Sequence, residues 1–103
     1  MKSAIFSPKA RLDIMQATDW ISKDNPATAQ VFRGAVEQAA RNLGEYPLAG
    51  RERPDLVNRP FRFLTLDSFP YVFVYNPASV PPLILRVLHG ARDLPTVLGT
   101  LDG

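Results

Sequence analysis

The chain has no cysteine and only one histidine and one tryptophan; no lysine follows Lys23 and no tyrosine follows Tyr75. Without cysteine there can be no disulfide and no thiolate metal site, and a lone histidine argues against a transition-metal centre. Long apolar runs are missing too. The one near the N-terminus, Ala4 to Phe6, is too short for a signal peptide or a membrane span, so a cytoplasmic protein without a membrane partner is the default expectation. No internal repeat or low-complexity tract is present, and no motif asks for a cofactor.

What is present suits a single α+β domain over residues 1–103. Of the 103 residues 46% are hydrophobic and 21% charged, a balance expected of a folded globular chain. The net charge is only +2 but unevenly spread: Arg51, Arg53, Arg59 and Arg62 are opposed locally by Glu52 and Asp55 alone, and Arg86 and Arg92 follow later. Such asymmetry suits an anionic partner, either nucleic acid or an acidic protein segment.

Lys2 to Phe6 reads as a first strand. Ser7-Pro8 then carries an N-cap residue and a proline at the first helical position, where the missing N–H costs nothing. Ala10, Ile14, Ala17 and Ile21 recur at helical spacing, with Trp20 expected to cover the edge of that stripe, and the helix should stop near Lys23. Asn25-Pro26 opens a second helix by the same device. Its apolar face is Ala29, Phe32, Val36, Ala39 or Ala40, and Leu43, with Gly44 at the C′ position. Gly34 interrupts it at a cost of about 1 kcal/mol relative to alanine, for which close approach of the two helices is the expected gain. A turn of two or three residues would make the pair an antiparallel hairpin.

Glu45 to Pro60, with Pro47, Gly50, Pro54 and Pro60, reads as a long loop of the kind that often carries function. Phe61–Leu66 and Phe69–Tyr75 read as strands joined at Asp67-Ser68, with Pro70 near the start of the second. A turn bracketed by Asn76-Pro77 and Pro81-Pro82 leads into Leu83–Leu88, and Gly90 ends that strand. Residues 93–103 should form a flexible or short helical tail, with Leu94, Val97 and Leu101 as apolar contacts. The order is β-α-α-β-β-β: an antiparallel sheet covered on one face by the helical hairpin, the first strand at its edge or within it. Tyr71 to Tyr75 is apolar on both alternations, as a sheltered central strand requires, and the open face of the sheet is expected to be available to a partner.

These elements resemble the RelE/ParE superfamily of type II toxin–antitoxin toxins, and its ParE branch in particular. The resemblance rests on Ala10, Asp13, Ile14, Trp20 and Ile21 in the first helix, then on Asn25-Pro26, Ala29 and Phe32, and on Leu43, Pro47, Leu48 and Gly50. It continues through Arg59, Phe69 to Tyr71 and Tyr75, and closes with Val87-Leu88-His89-Gly90-Ala91-Arg92-Asp93. It implies a small toxin that inhibits DNA gyrase, serves plasmid stabilisation, and is neutralised in a hetero-oligomeric complex by a ParD-like antitoxin with an acidic C-terminal segment. Direct sequence-specific DNA binding is not implied. RelE-like relatives on the same fold instead cleave messenger RNA at the ribosome, and fold alone does not choose between the two.

Metal-free RNA cleavage needs a base, an acid and cations on the phosphate. Here the candidates are His89, Arg86 and Arg62, without the C-terminal tyrosine that such enzymes commonly use, so gyrase inhibition without chemistry is preferred. Messenger-RNA endonuclease activity is the alternative, and an inactive relative acting only through antitoxin binding is a third. His89 is read first as a strand-end residue that orders the following turn, and Arg92-Asp93 as a local ion pair. Arg86 should be paired at its head, either by an acidic antitoxin side chain or by an internal carboxylate such as Asp67 or Glu52. The surface expected to meet antitoxin or target comprises Arg51, Arg53, Arg59, Arg62, Arg86, Arg92, Trp20 and Phe32. Within it Arg59, Arg62, Arg86 and Arg92 are expected to form the main electrostatic footprint. The strand aromatics are assigned to the core rather than to base stacking.

Overall fold

The computed structural model describes residues 3–54, 61–90 and Asp93. Their order is β1 (Ile5–Phe6), α1 (Pro8–Asp24), α2 (Pro26–Glu45), β2 (Arg51–Glu52), β3 (Arg62–Thr65), β4 (Tyr71–Asn76) and β5 (Leu83–His89).

Local chemistry sets the helix ends. Ser7 Oγ accepts the Ala10 N–H at 3.0 Å, with Pro8 in the first turn. Asn25 serves both helices: its N–H donates to the Ile21 carbonyl, and its Oδ1 accepts from the N–H groups of Ala27 and Thr28. The connection is therefore one residue, tighter than the expected turn, because a single extended residue ends one helix and caps the next.

Gly44 is not a C′ residue. The helix runs on to Glu45, and the Tyr46 N–H closes it on the Asn42 carbonyl. Nor does Gly34 bring the helices together: it is exposed, and among the described residues a Cβ added there would meet nothing within 4 Å.

The sheet order is β1-β5-β4-β3-β2. The three central strands meander antiparallel, as expected, whereas β1 joins the edge parallel to β5, with Ile5 opposite Leu83. β1 is shorter than expected because the Ala4 N–H donates to the Ala40 carbonyl of α2 and is lost to the sheet. The stretch taken for loop contains β2, whose Arg51 and Glu52 pair with Phe63 and Arg62. β4 begins only at Tyr71, since Pro70 has no N–H to give the ladder. At the Asp67-Ser68 turn Ser68 adopts a left-handed φ of 68°.

The helical stripe and the facing strand positions make one core. Phe32 lies at 5.2 Å from Phe69 and 5.1 Å from Tyr71, and Phe6 meets Phe73 edge-on at 5.9 Å. On the other face of the sheet Phe63, Val74 and Leu88 are also buried, so the centre of the face expected to be open is closed.

Candidate functional site

β1 pairs with β5 only as far as Ile84, and beyond that point the edge of β5 is satisfied by the start of α1. The Ser7 N–H donates to the Ile84 carbonyl, and Ser7 Oγ donates to the Leu85 carbonyl at 2.8 Å. One helical turn on, Asp13 Oδ2 accepts the Val87 N–H at 3.0 Å. Its carboxylate also receives Arg86 through two bonds, Nε to Oδ2 at 2.7 Å and Nη2 to Oδ1 at 2.9 Å. The side chains of Arg86 and Asp13 are 18% and 10% exposed. Hydrogen bonding to Asp13, followed by the proximity of its charge and that of Asp93, outweighs burial and holds the Arg86 guanidinium above its ordinary value. Arg86 is thus internally paired, but by Asp13 rather than by Asp67 or Glu52, and its fork is committed to tying α1 to β5.

A second anchor holds the segment before β2. Tyr75, fully buried, donates its hydroxyl to the Pro47 carbonyl at 2.7 Å and accepts the Gly50 N–H at 2.8 Å. A Cβ on Gly50 would stand 2.7 Å from the Tyr75 ring and 2.9 Å from the Phe63 carbonyl oxygen, so glycine is required by close approach. Burial raises the Tyr75 hydroxyl above its usual range, against the smaller opposing effects of the Gly50 hydrogen bond and of Arg62. Arg62 Nη1 donates to the Gly50 carbonyl at 2.8 Å, and Nη2 makes a long contact of 3.5 Å with Glu52. Arg62, like Arg86, thus supports the fold.

His89 closes β5. Its N–H donates to Asp93 Oδ2 at 3.1 Å, the Asp93 N–H donates back to the His89 carbonyl at 2.9 Å, and its ring meets Tyr71 edge-on at 5.5 Å. Asp93 therefore caps the strand end. Cross-strand register also supplies the tyrosine neighbour that the C-terminal sequence lacks.

Phe32 is fully buried in the core and is not a contact residue. Trp20 does not cover the edge of its helical stripe, being 63% exposed. Arg51 and Arg53 lie exposed on and beside β2. Arg59, Arg92, Leu94, Val97 and Leu101 lie outside the described residues. Sequence reasoning gave Asp13 and Tyr75 no site role. Asp13 falls just beside the apolar stripe of α1, the one available signal that its carboxylate would face the sheet edge. Among the described residues no group of three or more His, Cys, Asp or Glu side chains could hold a metal ion, and no helix is long and apolar enough to cross a membrane.

A family model described as the ParE toxin of the type II toxin–antitoxin system parDE matches residues 4–94. Toxin RelE2 of Caulobacter vibrioides (strain ATCC 19089 / CIP 103742 / CB 15) is 32% identical over 92 residues, covering 89% of this chain and 99% of that protein. A solved structure described as the chromosomal ParDE TA system from P. aeruginosa superimposes with a TM-score of 0.71 at 23% identity, covering 86% of this chain and 96% of that one. At that identity the likeness speaks to the fold.

Proposed function

Because this chain belongs to the ParE toxin family of type II toxin–antitoxin systems, we propose that it acts by binding and inhibiting DNA gyrase and is neutralised by an acidic ParD-like antitoxin. The observation that carries this reading is the bidentate Arg86–Asp13 pair. A phosphate clamp on β5 would need that guanidinium turned outward, and both of its bonded edges are occupied by the carboxylate of α1. Arg62 is likewise turned onto the Gly50 carbonyl. Harm by association, which needs no acid or base, fits these engaged side chains better than RNA cleavage does.

The second reading is a ribosome-dependent messenger-RNA endonuclease with His89 as acid or base. It draws on the relative named Toxin RelE2 and on the partly exposed His89 ring against Tyr71. A supercoiling assay with purified gyrase separates the two. Inhibition relieved by the antitoxin encoded beside the toxin is the expected result. Unimpaired gyrase, together with messenger-RNA cleavage on programmed ribosomes that His89→Ala abolishes, would replace this proposal with the second.

A further inference from the structure

Arg51, Phe63, Val74 and Arg86 stand opposite one another on β2, β3, β4 and β5 in turn, forming one row across the sheet. Val74 follows Phe73 of the helix-side core, so the row lies on the face turned away from the helices. It has an apolar middle and an arginine at each end. Leu88, two residues beyond Arg86, continues the apolar part toward the end of β5.

Phe63, Val74 and Leu88 are 8%, 0% and 2% exposed, as deeply buried as the core on the helix side. Yet α1 and α2 both pack on the opposite face, and every described strand belongs to the sheet itself. A second copy is not the cover, because this is the burial within one chain. Residues 1–2 precede Ala4, which is tied to α2. Residues 55–60 leave β2 and return to β3, so both ends stay two strands or more from Leu88.

Residues 94–103 start in a better place. Asp93 is fixed to the end of β5, where its carboxylate accepts the His89 N–H and its own N–H donates to the His89 carbonyl. The segment therefore sets out next to Leu88. Leu94, Val97 and Leu101 recur at spacings of three and four, a single apolar stripe, with Asp93 and Asp102 on either side of it. From Asp93 to Asp102 a helix would span roughly 14 Å. Three strand spacings, from β5 to β2, also come to roughly 14 Å. A segment with a carboxylate at each end and apolar side chains between them thus complements a row with an arginine at each end.

We propose that residues 94–103 form a strap across the outer face of the sheet, with Leu94, Val97 and Leu101 packed on Leu88, Val74 and Phe63 and with Asp102 at Arg51. At the near end the charge of Asp93 already acts on Arg86. The strap is an occupant supplied by the chain itself. It closes the face to outside ligands, nucleic acid included, until it is displaced. The inference holds whichever target the toxin acts on.

The test is methyl NMR of the full-length protein, with a soluble gadolinium chelate as the probe of exposure. The Val74 and Leu88 methyls should show contacts to Leu94, Val97 or Leu101 and should resist broadening by the chelate. Val97→Ser combined with Leu101→Ser should raise that broadening severalfold, while Val36 and Leu43 on the helix side stay protected. Arg51→Glu should loosen the strap in the same sense, and adding Asp102→Arg should restore protection. Contacts from Val74 and Leu88 to Leu56 or Val57 instead would overturn the proposal. So would broadening in the serine variant equal to that of the wild type, or protection insensitive to Arg51→Glu. Should a variant fail to fold, the contacts in the wild-type protein decide alone.

Discussion

Arg86 and Arg33 are the same side chain in one small domain, and their surroundings make them opposites. Arg86 sits opposite Val74 in the sheet and closes a bidentate bond on a carboxylate that also holds the Val87 N–H. Arg33 stands on the exposed flank of α2 beside Ile14, Met15 and Thr18 of α1, with no ion-pair partner among the described residues. A count of arginines would weigh them equally as electrostatic footprint. The difference lies in what the backbone left unsatisfied nearby: the edge of β5 beyond Ile84 needed a partner, and the helix that supplied it brought Asp13 within reach of Arg86. Cations that complete the fold are poor candidates for recognition. Those with nothing to do inside it are better ones.

The largest expected effect tests the division between inside and outside at Phe32. Phe32→Ala should cost about 3–5 kcal/mol in urea unfolding, since the ring is fully buried between Phe69 and Tyr71. A loss of antitoxin affinity at unchanged stability would instead make Phe32 a surface anchor.

Next comes the engaged arginine. Asp13→Ala leaves the Arg86 charge and the Val87 N–H without their acceptor and should cost about 3 kcal/mol, toward the low end for buried pairs because Arg86 keeps some exposure. Removing Arg86 as well, with methionine in its place, should restore part of that loss. If Asp13→Ala proves neutral, the distinction drawn between Arg86 and Arg33 fails.

Much of this was readable in the chain, and the unreadable parts share a cause. Ser7-Pro8 and Asn25-Pro26 announced both helix starts because a cap is decided by residues three or four apart. The helical spacing that gave the core stripe also contained Phe32, which makes its place among the expected contact residues an avoidable inconsistency. Asp13 and Arg86 are 73 positions apart, and nothing local chooses Asp13 over Glu52 or Asp67. The choice follows from β1 ending at Phe6 and α1 starting at the bare edge of β5, a tertiary event. The two hydrogen bonds of Tyr75 are similarly remote, joining β4 to a segment that precedes β2.

That second anchor yields a smaller effect. Tyr75→Phe should cost about 1–3 kcal/mol by leaving the Gly50 N–H and the Pro47 carbonyl without their partner. The pH dependence follows from the raised hydroxyl. Its contribution is fully present below the ordinary tyrosine value of 10.0 and is lost as pH rises through the higher folded value. Alkaline unfolding of the wild type should therefore steepen above that range, and the phenylalanine variant should lack this part of the slope.

The smallest expected change is a gain. Gly34 lies in the interior of α2, and its backbone freedom serves no turn, cap or close approach among the described residues. Gly34→Ala should therefore raise stability by about 1 kcal/mol, measured as a higher urea midpoint at unchanged slope. A stability gain with unaltered antitoxin affinity would mark Gly34 as merely tolerated. The same gain accompanied by weaker binding would mean that a partner backbone passes close to α2 at this point. In that case the free surface of the hairpin would be shaped for its partner by a missing side chain as well as by unpaired charge.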